Sequence, residues 1–294
     1  MDALAIVFSV LFIVVLAVCI ALWLLTVKSQ SPKKTEGSAV PAFPYDKISF
    51  TSSGSQIAGW FISNRDNENL EKKPVVILAH GWASSKSRML RYAETLYKEG
   101  YALLLYDARS HGESESIKAP TVKSFRDDLL AAVRFAMQRE EADPDRVAVL
   151  AHSFGGFGGV LALKETDRIK ALVTDSMPAQ FDTIMKAYLS RSSLKHLPLA
   201  YFLLRIGFWR AGISRKEVKR FDPVSILKQT SIPVLLLHSK KDDYVPVTEL
   251  DYLVSQLPGV SHQYLHTSGH RNSHKDPDFW NSVLPFLRRH LQQK

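Results

Sequence analysis

An α/β fold, with a mostly parallel sheet covered by helices on both faces, is what this sequence predicts, on three observations. Apolar runs at 75–79, 101–106, 147–151, 171–174 and 234–237 are strand-length and lack the polar alternation of a half-exposed strand, so they read as strands buried on both faces. Stretches of helical periodicity lie between them; Phe125, Leu129, Ala132, Val133 and Ala136 fall at intervals of three to four residues. Strand and helix therefore alternate, which makes the strands parallel and sends the helices to the two faces. The 294 residues, 46% of them hydrophobic, suffice for one large domain, although length alone would also accommodate two. The single cysteine, Cys19, excludes an internal disulfide framework and a thiolate metal site.

Taken in order, residues 3–27 are apolar apart from Ser9 and Thr26. As a helix they would reach about 37 Å, enough to cross a hydrocarbon core of about 30 Å. The run is too long for the core of a cleaved signal peptide, and only Asp2 precedes it where such a peptide carries basic residues. Leu16-Ala17-Val18-Cys19 faintly suggests a lipoprotein site, but valine before the cysteine fits poorly, and a small residue inside a membrane helix is the better reading. Lys28, Lys33 and Lys34 follow the span and no Lys or Arg precedes it, so the expectation is a single-pass anchor with its C-terminal domain on the cytoplasmic side. Residues 28–45, broken by Pro41 and Pro44, read as a linker, and 46–294 as the folded domain.

Two alternating segments flank Ser53-Gly54 between Asp46 and Ser63, which predicts a β-hairpin. Pro74 opens the buried strand 75–79, which runs into His80-Gly81-Trp82-Ala83-Ser84-Ser85. A helix is predicted over 86–98, stopped at Gly100, and then the strand 101–106 leads into Asp107-Ala108-Arg109-Ser110-His111-Gly112-Glu113-Ser114. The amphipathic helix around 125–136 ends before Asp143-Pro144-Asp145.

The organising stretch is Val147-Ala148-Val149-Leu150-Ala151-His152-Ser153-Phe154-Gly155-Gly156, a strand that drives into a serine and turns at once into a helix over 154–165. So sharp a turn strains the serine backbone and needs small residues two before and two after it, which Ala151 and Gly155 supply. It lifts the Ser153 hydroxyl beside a helix N-terminus, whose free NH groups can receive developing negative charge. Standing alone, such a stretch is as well explained by a small-residue turn packing a helix on a sheet.

Ala-His-Ser-Phe-Gly resembles the nucleophile elbow of the α/β-hydrolase family, with alanine for the usual first glycine. The resemblance extends over about 46–292. It implies that His80-Gly81 ends the strand whose loop supplies one oxyanion donor, the backbone NH of Trp82, with Phe154 giving the other. Asp107–Ser114 is similar to the family's Asp-x-Arg-Gly-His-Gly-x-Ser loop, with Ser110 for glycine, and the expectation is that Asp107, Arg109 and His111 brace loops rather than catalyse. His238-Ser239-Lys240-Lys241-Asp242-Asp243-Tyr244-Val245-Pro246 resembles the segment that carries the triad acid, with Ser239 for glycine. That maps the acid onto Asp242, with Asp243 as close competitor and Asp175 as a second one. His270, in Thr267-Ser268-Gly269-His270 after the strand 260–265, sits where the family places its general base. A final helix over 277–292 opens on Asp276-Pro277.

The alternation breaks between Ser176 and Thr230, where a helical cap inserted over the site is expected. From 186 to 228 there are ten Lys or Arg against Glu217 and Asp222, a local charge of +8 in a chain of net +9. Leu199 to Leu204 and Ile206 to Trp209 interleave with it. Either the cap packs on the core with its charges solvated, or it also lies on anionic headgroups. Nucleic acid is not expected, since no groove-reading motif accompanies the charge. His262, His266, His270 and His274 would form a metal stripe on one helix, but Gly269 and the strand-like run before it speak against that helix, so no metal is expected.

Ser153, Asp242 and His270 follow one another in the order Ser, Asp, His, each just after a predicted core strand. The expected activity is hydrolysis of carboxylic esters or thioesters, lipid or acyl esters favoured, through an acyl-enzyme and without a cofactor. Among relatives, the chain resembles single-pass membrane serine hydrolases and the group called serine aminopeptidase-like or monoglyceride lipase-like. An aminopeptidase or amidase, and a receptor or scaffold that binds without turnover, are the alternatives. No residue pattern speaks to oligomeric state.

Overall fold

The computed structural model describes residues 3–32, 34, 39–63, 72–190 and 199–291. Lys33, residues 35–38 of the linker, and Arg191 and Lys195 of the basic segment lie outside them. The chain opens with α1 (Ala3–Ser29), two residues longer than the apolar run, and its outer face is exposed along nearly its whole length. A hairpin follows, β1 (Tyr45–Ser52) and β2 (Ser55–Ile62), turned at Ser53-Gly54 with both residues at positive φ.

The alternation then runs β3 (Lys73–Ala79), α2 (Lys86–Lys98), β4 (Ala102–Tyr106), α3 (Val122–Met137), β5 (Ala142–His152), α4 (Phe154–Ala162) and β6 (Ile169–Asp175). Four helices come next, α5 (Phe181–Leu189), α6 (Ala200–Arg210), α7 (Arg215–Val218) and α8 (Pro223–Gln229). The chain closes with β7 (Val234–Lys241), α9 (Thr248–Gln256), β8 (Ser261–Ser268) and α10 (Pro277–Leu291). Boundaries differ from expectation where tertiary pairing extends a strand. Asp143-Pro144-Asp145 lies inside β5, because Ala142 pairs with Lys73 across a register shift at Pro74, whose nitrogen has no hydrogen to donate. α4 stops at Ala162 rather than 165, and β7 and β8 continue past their apolar runs, to Lys241 and Ser268.

All eight strands form one sheet in the order β1-β2-β4-β3-β5-β6-β7-β8. Only β1–β2 and β2–β4 are antiparallel. One face packs on α3 and α4, with Phe125, Leu129 and Phe157 among its fully buried side chains; the other packs on α2 and α10 through Met89, Tyr92, Phe279 and Val283. The chain leaves β3 toward β4 on one side and returns to β5 on the other, so the direction of winding reverses between β3 and β5. In such sheets the crevice beyond the carboxyl ends of the two strands at the reversal is where ligands bind.

Candidate active site

Ser153 stands at that reversal, at the end of β5. Its backbone lies at φ 55° and ψ −124°, a positive-φ conformation that is costly for a residue with a side chain. The surroundings hold it there: its NH donates to the Asp175 carbonyl at 2.7 Å, and the NH groups of Gly156 and Phe157, in the first turn of α4, donate to its own carbonyl. The requirement for a small residue two positions on is strict. A Cβ on Gly155 would lie 2.4 Å from the His80 carbonyl oxygen and 2.8 Å from that of Ala79, so only glycine lets α4 approach the end of β3.

His270, on the loop after the edge strand β8, reaches Ser153. Its Nε2 is 2.9 Å from the Ser153 hydroxyl and its Nδ1 2.7 Å from Asp242 Oδ2. The Asp242 side chain is wholly buried, and its other oxygen accepts the backbone NH groups of Tyr244 and Val245 at 2.8 and 2.9 Å. Burial works against its charge, but the His270 contact and these two NH groups outweigh it and hold the carboxyl below the usual aspartate value. An Asp242 carboxylate can only accept from Nδ1, which leaves Nε2 unprotonated toward the serine.

The competing acids are occupied elsewhere. Asp243 accepts the backbone NH of His270 at 2.9 Å and is exposed. Asp175 is buried and accepts the Tyr92 hydroxyl at 2.5 Å.

The His80 ring shapes the facing loop. Its Nδ1 donates to the Gly81 carbonyl at 2.7 Å and its Nε2 accepts the Ala108 NH at 2.9 Å. Because a trans peptide sets NH opposite C=O, tying back the Gly81 carbonyl turns the Trp82 NH the other way. Gly81 lies against the serine: a Cβ there would be 2.9 Å from Ser153 Cβ. The Trp82 and Phe154 rings meet edge to face at 5.6 Å beside the serine, and the Phe154 NH is the first of α4.

The Asp107–Ser114 loop braces as expected. Asp107 accepts both the backbone NH and the Nζ of Lys86, and Arg109 is held by Asp128. Ser110 takes the glycine's left-handed place at φ 69°. His111 is buried against Phe125 and Trp82, its Nδ1 donating to the Arg109 carbonyl, and burial pushes its pKa down to about 3. Ser239, also a glycine replacement, bonds Thr267 and Ser273 through its hydroxyl. The four histidines at 262, 266, 270 and 274 do not share a helix, and among the described residues no group of three or more His, Cys, Asp or Glu is arranged to hold a metal.

Over Ser153 lies a cleft that opens to solvent. Its walls come from α5 and α6 and from the loops carrying Trp82, Thr121 and Tyr244, and they include Ser29 and Gln30 at the end of α1. No described residue lining it is charged.

A sharp strand-to-helix turn at Ser153, at the winding reversal of a mostly parallel eight-stranded sheet, is the arrangement of the α/β-hydrolase fold. The profile of the family described as serine aminopeptidase, S33, matches residues 71–195. The esterase Pf2001 of Pyrococcus furiosus superposes with a TM-score of 0.70 at 24% identity, covering 89% of this chain and 97% of that one. The chain has the α/β-hydrolase fold. Est1E of Butyrivibrio proteoclasticus, with ferulic acid bound, shares this fold, with a TM-score of 0.63 at 20% identity over 84% of this chain and all of that one. In sequence, the chain is 26% identical over 223 residues to YqkD of Bacillus subtilis, 74% of this chain and 69% of that protein. It is 36% identical over 108 residues to the quorum-quenching protein AidA of Acinetobacter baumannii, about a third of each chain.

Two features of the site had no sequence signal. His152, buried beside Ser153, donates Nε2–H to the His270 carbonyl at 2.7 Å. Glu249 reaches under the cap and accepts the NH groups of Ala179 and Gln180 and the Thr183 hydroxyl, fixing the start of α5 over the site.

Proposed function

We propose that the protein is a membrane-anchored serine hydrolase that cleaves acyl esters or thioesters, and the hydrogen-bonded chain Ser153–His270–Asp242 carries the reading. His270 Nε2 takes the Ser153 proton as the oxygen attacks the acyl carbonyl, and Asp242 holds the ring and stabilises the imidazolium. The Trp82 and Phe154 NH groups receive the oxyanion. The proton then passes from His270 to the leaving alcohol or thiol, and a water activated by the same histidine releases the acid.

Membrane-presented acyl chains are the favoured substrates, such as monoacylglycerols, lysolipids or acylated proteins. Support comes from the uncharged, largely apolar cleft and from α1, whose composition suits a membrane span. The basic residues after α1 favour the cytoplasmic side for the catalytic domain, and the exposed Arg205, Lys216, Lys219 and Arg220 on the cap suit anionic headgroups. An aminopeptidase needs a carboxylate to hold the free amine. No acid is among the described residues lining the cleft, and the nearby Glu249 is saturated by its α5 contacts.

The test is to profile the full-length protein against acyl esters of increasing length and aminoacyl amides, with and without anionic vesicles. Activity rising with chain length and with vesicles is expected. A peak at acetate, indifference to vesicles and equal cleavage of aminoacyl amides would overturn the substrate assignment.

A further inference from the structure

α1 does not end as a free tether. Its last turns pack along α6, where Leu22 and Leu25 join the buried Met185, Leu189 and Leu203 in one apolar cluster. Thr26, wholly buried, and Gln30 lie four residues apart and both face Gly207: a Cβ added there would be 3.4 Å from Gln30 Nε2 and 3.7 Å from Thr26 Cγ2. The Gln30 amide donates to the Gly207 carbonyl at 3.1 Å and accepts from Arg210 at 3.0 Å. The contact also fixes a depth. Trp209 meets Trp23 edge to face at 5.9 Å, and Trp23 lies five residues, about 7 Å, inside Lys28. That is the level at which tryptophans settle at a membrane surface. Tyr201, Phe202 and Trp209 are all exposed on the same short helix.

Ser29, Gln30, Leu203, Leu204 and Gly207 line the same cleft as Ser153 and Phe154. Resting on the hydrolase reading above, we propose that the membrane helix is itself a wall of the acyl site. A chain bonded through its carbonyl carbon at Ser153 runs along α5 and α6 and ends against the last turn of α1. It enters from the bilayer at the α1–α6 seam, and Gln30 with Gly207 determines the chain length accepted. Fusing anchor and pocket in this way keeps the hydrocarbon out of bulk water throughout.

Two measurements on the full-length protein in phospholipid nanodiscs test this. Thr26→Cys with Gly207→Cys, in a Cys19→Ser background, should form a disulfide on mild oxidation; absence of the cross-link would overturn the seam. A long-chain alkyl fluorophosphonate with a terminal diazirine should phosphonylate Ser153 and, on illumination, place its adduct between residues 22 and 31. Phosphonylated Ser153 with adducts only elsewhere would sink the inference while leaving the hydrolase reading intact. A cross-linked but unphosphonylated protein would overturn that reading, and this one with it. Gly207→Leu, which fills the seam, should move the chain-length optimum to shorter esters, lowering kcat/KM for a hexadecanoyl ester relative to a butanoyl ester about 10-fold or more. An unchanged profile would contradict the role of the seam.

Discussion

His152 donates its Nε2 hydrogen to the backbone carbonyl of His270 at 2.7 Å, with the two rings 4.7 Å apart. The residue before Ser153 thus braces the residue proposed to take the Ser153 proton. Burial holds the His152 pKa well below the ordinary histidine value, so the brace stays neutral as His270 cycles. His152→Ala should lower kcat about 10-fold, the equivalent of one orienting hydrogen bond, with KM little changed. Rescue by His152→Gln, whose amide can also donate, would separate positioning from packing. An unaltered kcat in the alanine variant would remove His152 from the account.

The three candidate acids should part clearly in kinetics. Asp242→Asn should reduce kcat by on the order of 10⁴, as loss of the orienting acid does in triads generally. Asp243→Asn should be far milder, since Asp243 accepts from the His270 backbone and not from its ring. Asp175→Asn should chiefly affect stability through Tyr92, seen as a lower melting temperature. Steady-state ester hydrolysis with thermal melts decides, and a severe kinetic loss in either of the last two variants would reassign the acid.

Gly155→Ala should destabilise the whole fold rather than dull the site. The added carbon would lie 2.4 Å from the His80 carbonyl oxygen, a contact relieved only by moving α4 off the end of β3. A cost of about 1–3 kcal/mol or more is typical of such overpacking. A melting temperature equal to wild type would show that the elbow tolerates what the geometry forbids.

Acid sensitivity should trace in part to His111. Its folded pKa of about 3 lies below the ordinary 6.5, so the unfolded chain takes up the proton first as pH falls. Its share of the stability is therefore complete above about 6.5 and is lost progressively down to about 3. His111→Phe, placed among Phe125 and Trp82, should flatten the fall of melting temperature across that window. An unchanged slope would assign the sensitivity to other groups.

Much of this was legible in the sequence because it is local. Apolar runs marked the strands, three-to-four spacing marked α3, and Ala151 and Gly155 marked the elbow, since each is demanded by residues close by in the chain. Strand ends were read short where pairing rather than composition sets them, as at Asp143-Pro144-Asp145, which β3 draws into the sheet. Nothing local separates Asp242 from Asp243; the NH groups of Tyr244 and Val245 turn the first inward. The contact of Trp23 with Trp209 joins segments far apart in the chain, and such encounters leave no periodicity to read.

The most direct measurement of the central claim is active-site labelling of the folded full-length protein with a fluorophosphonate, read by peptide mass spectrometry. One adduct per chain on Ser153 is predicted, abolished by Ser153→Ala and slowed by orders of magnitude by His270→Ala. A folded protein that remains unlabelled, or is labelled at another residue with Ser153 intact, would contradict serine catalysis at this site.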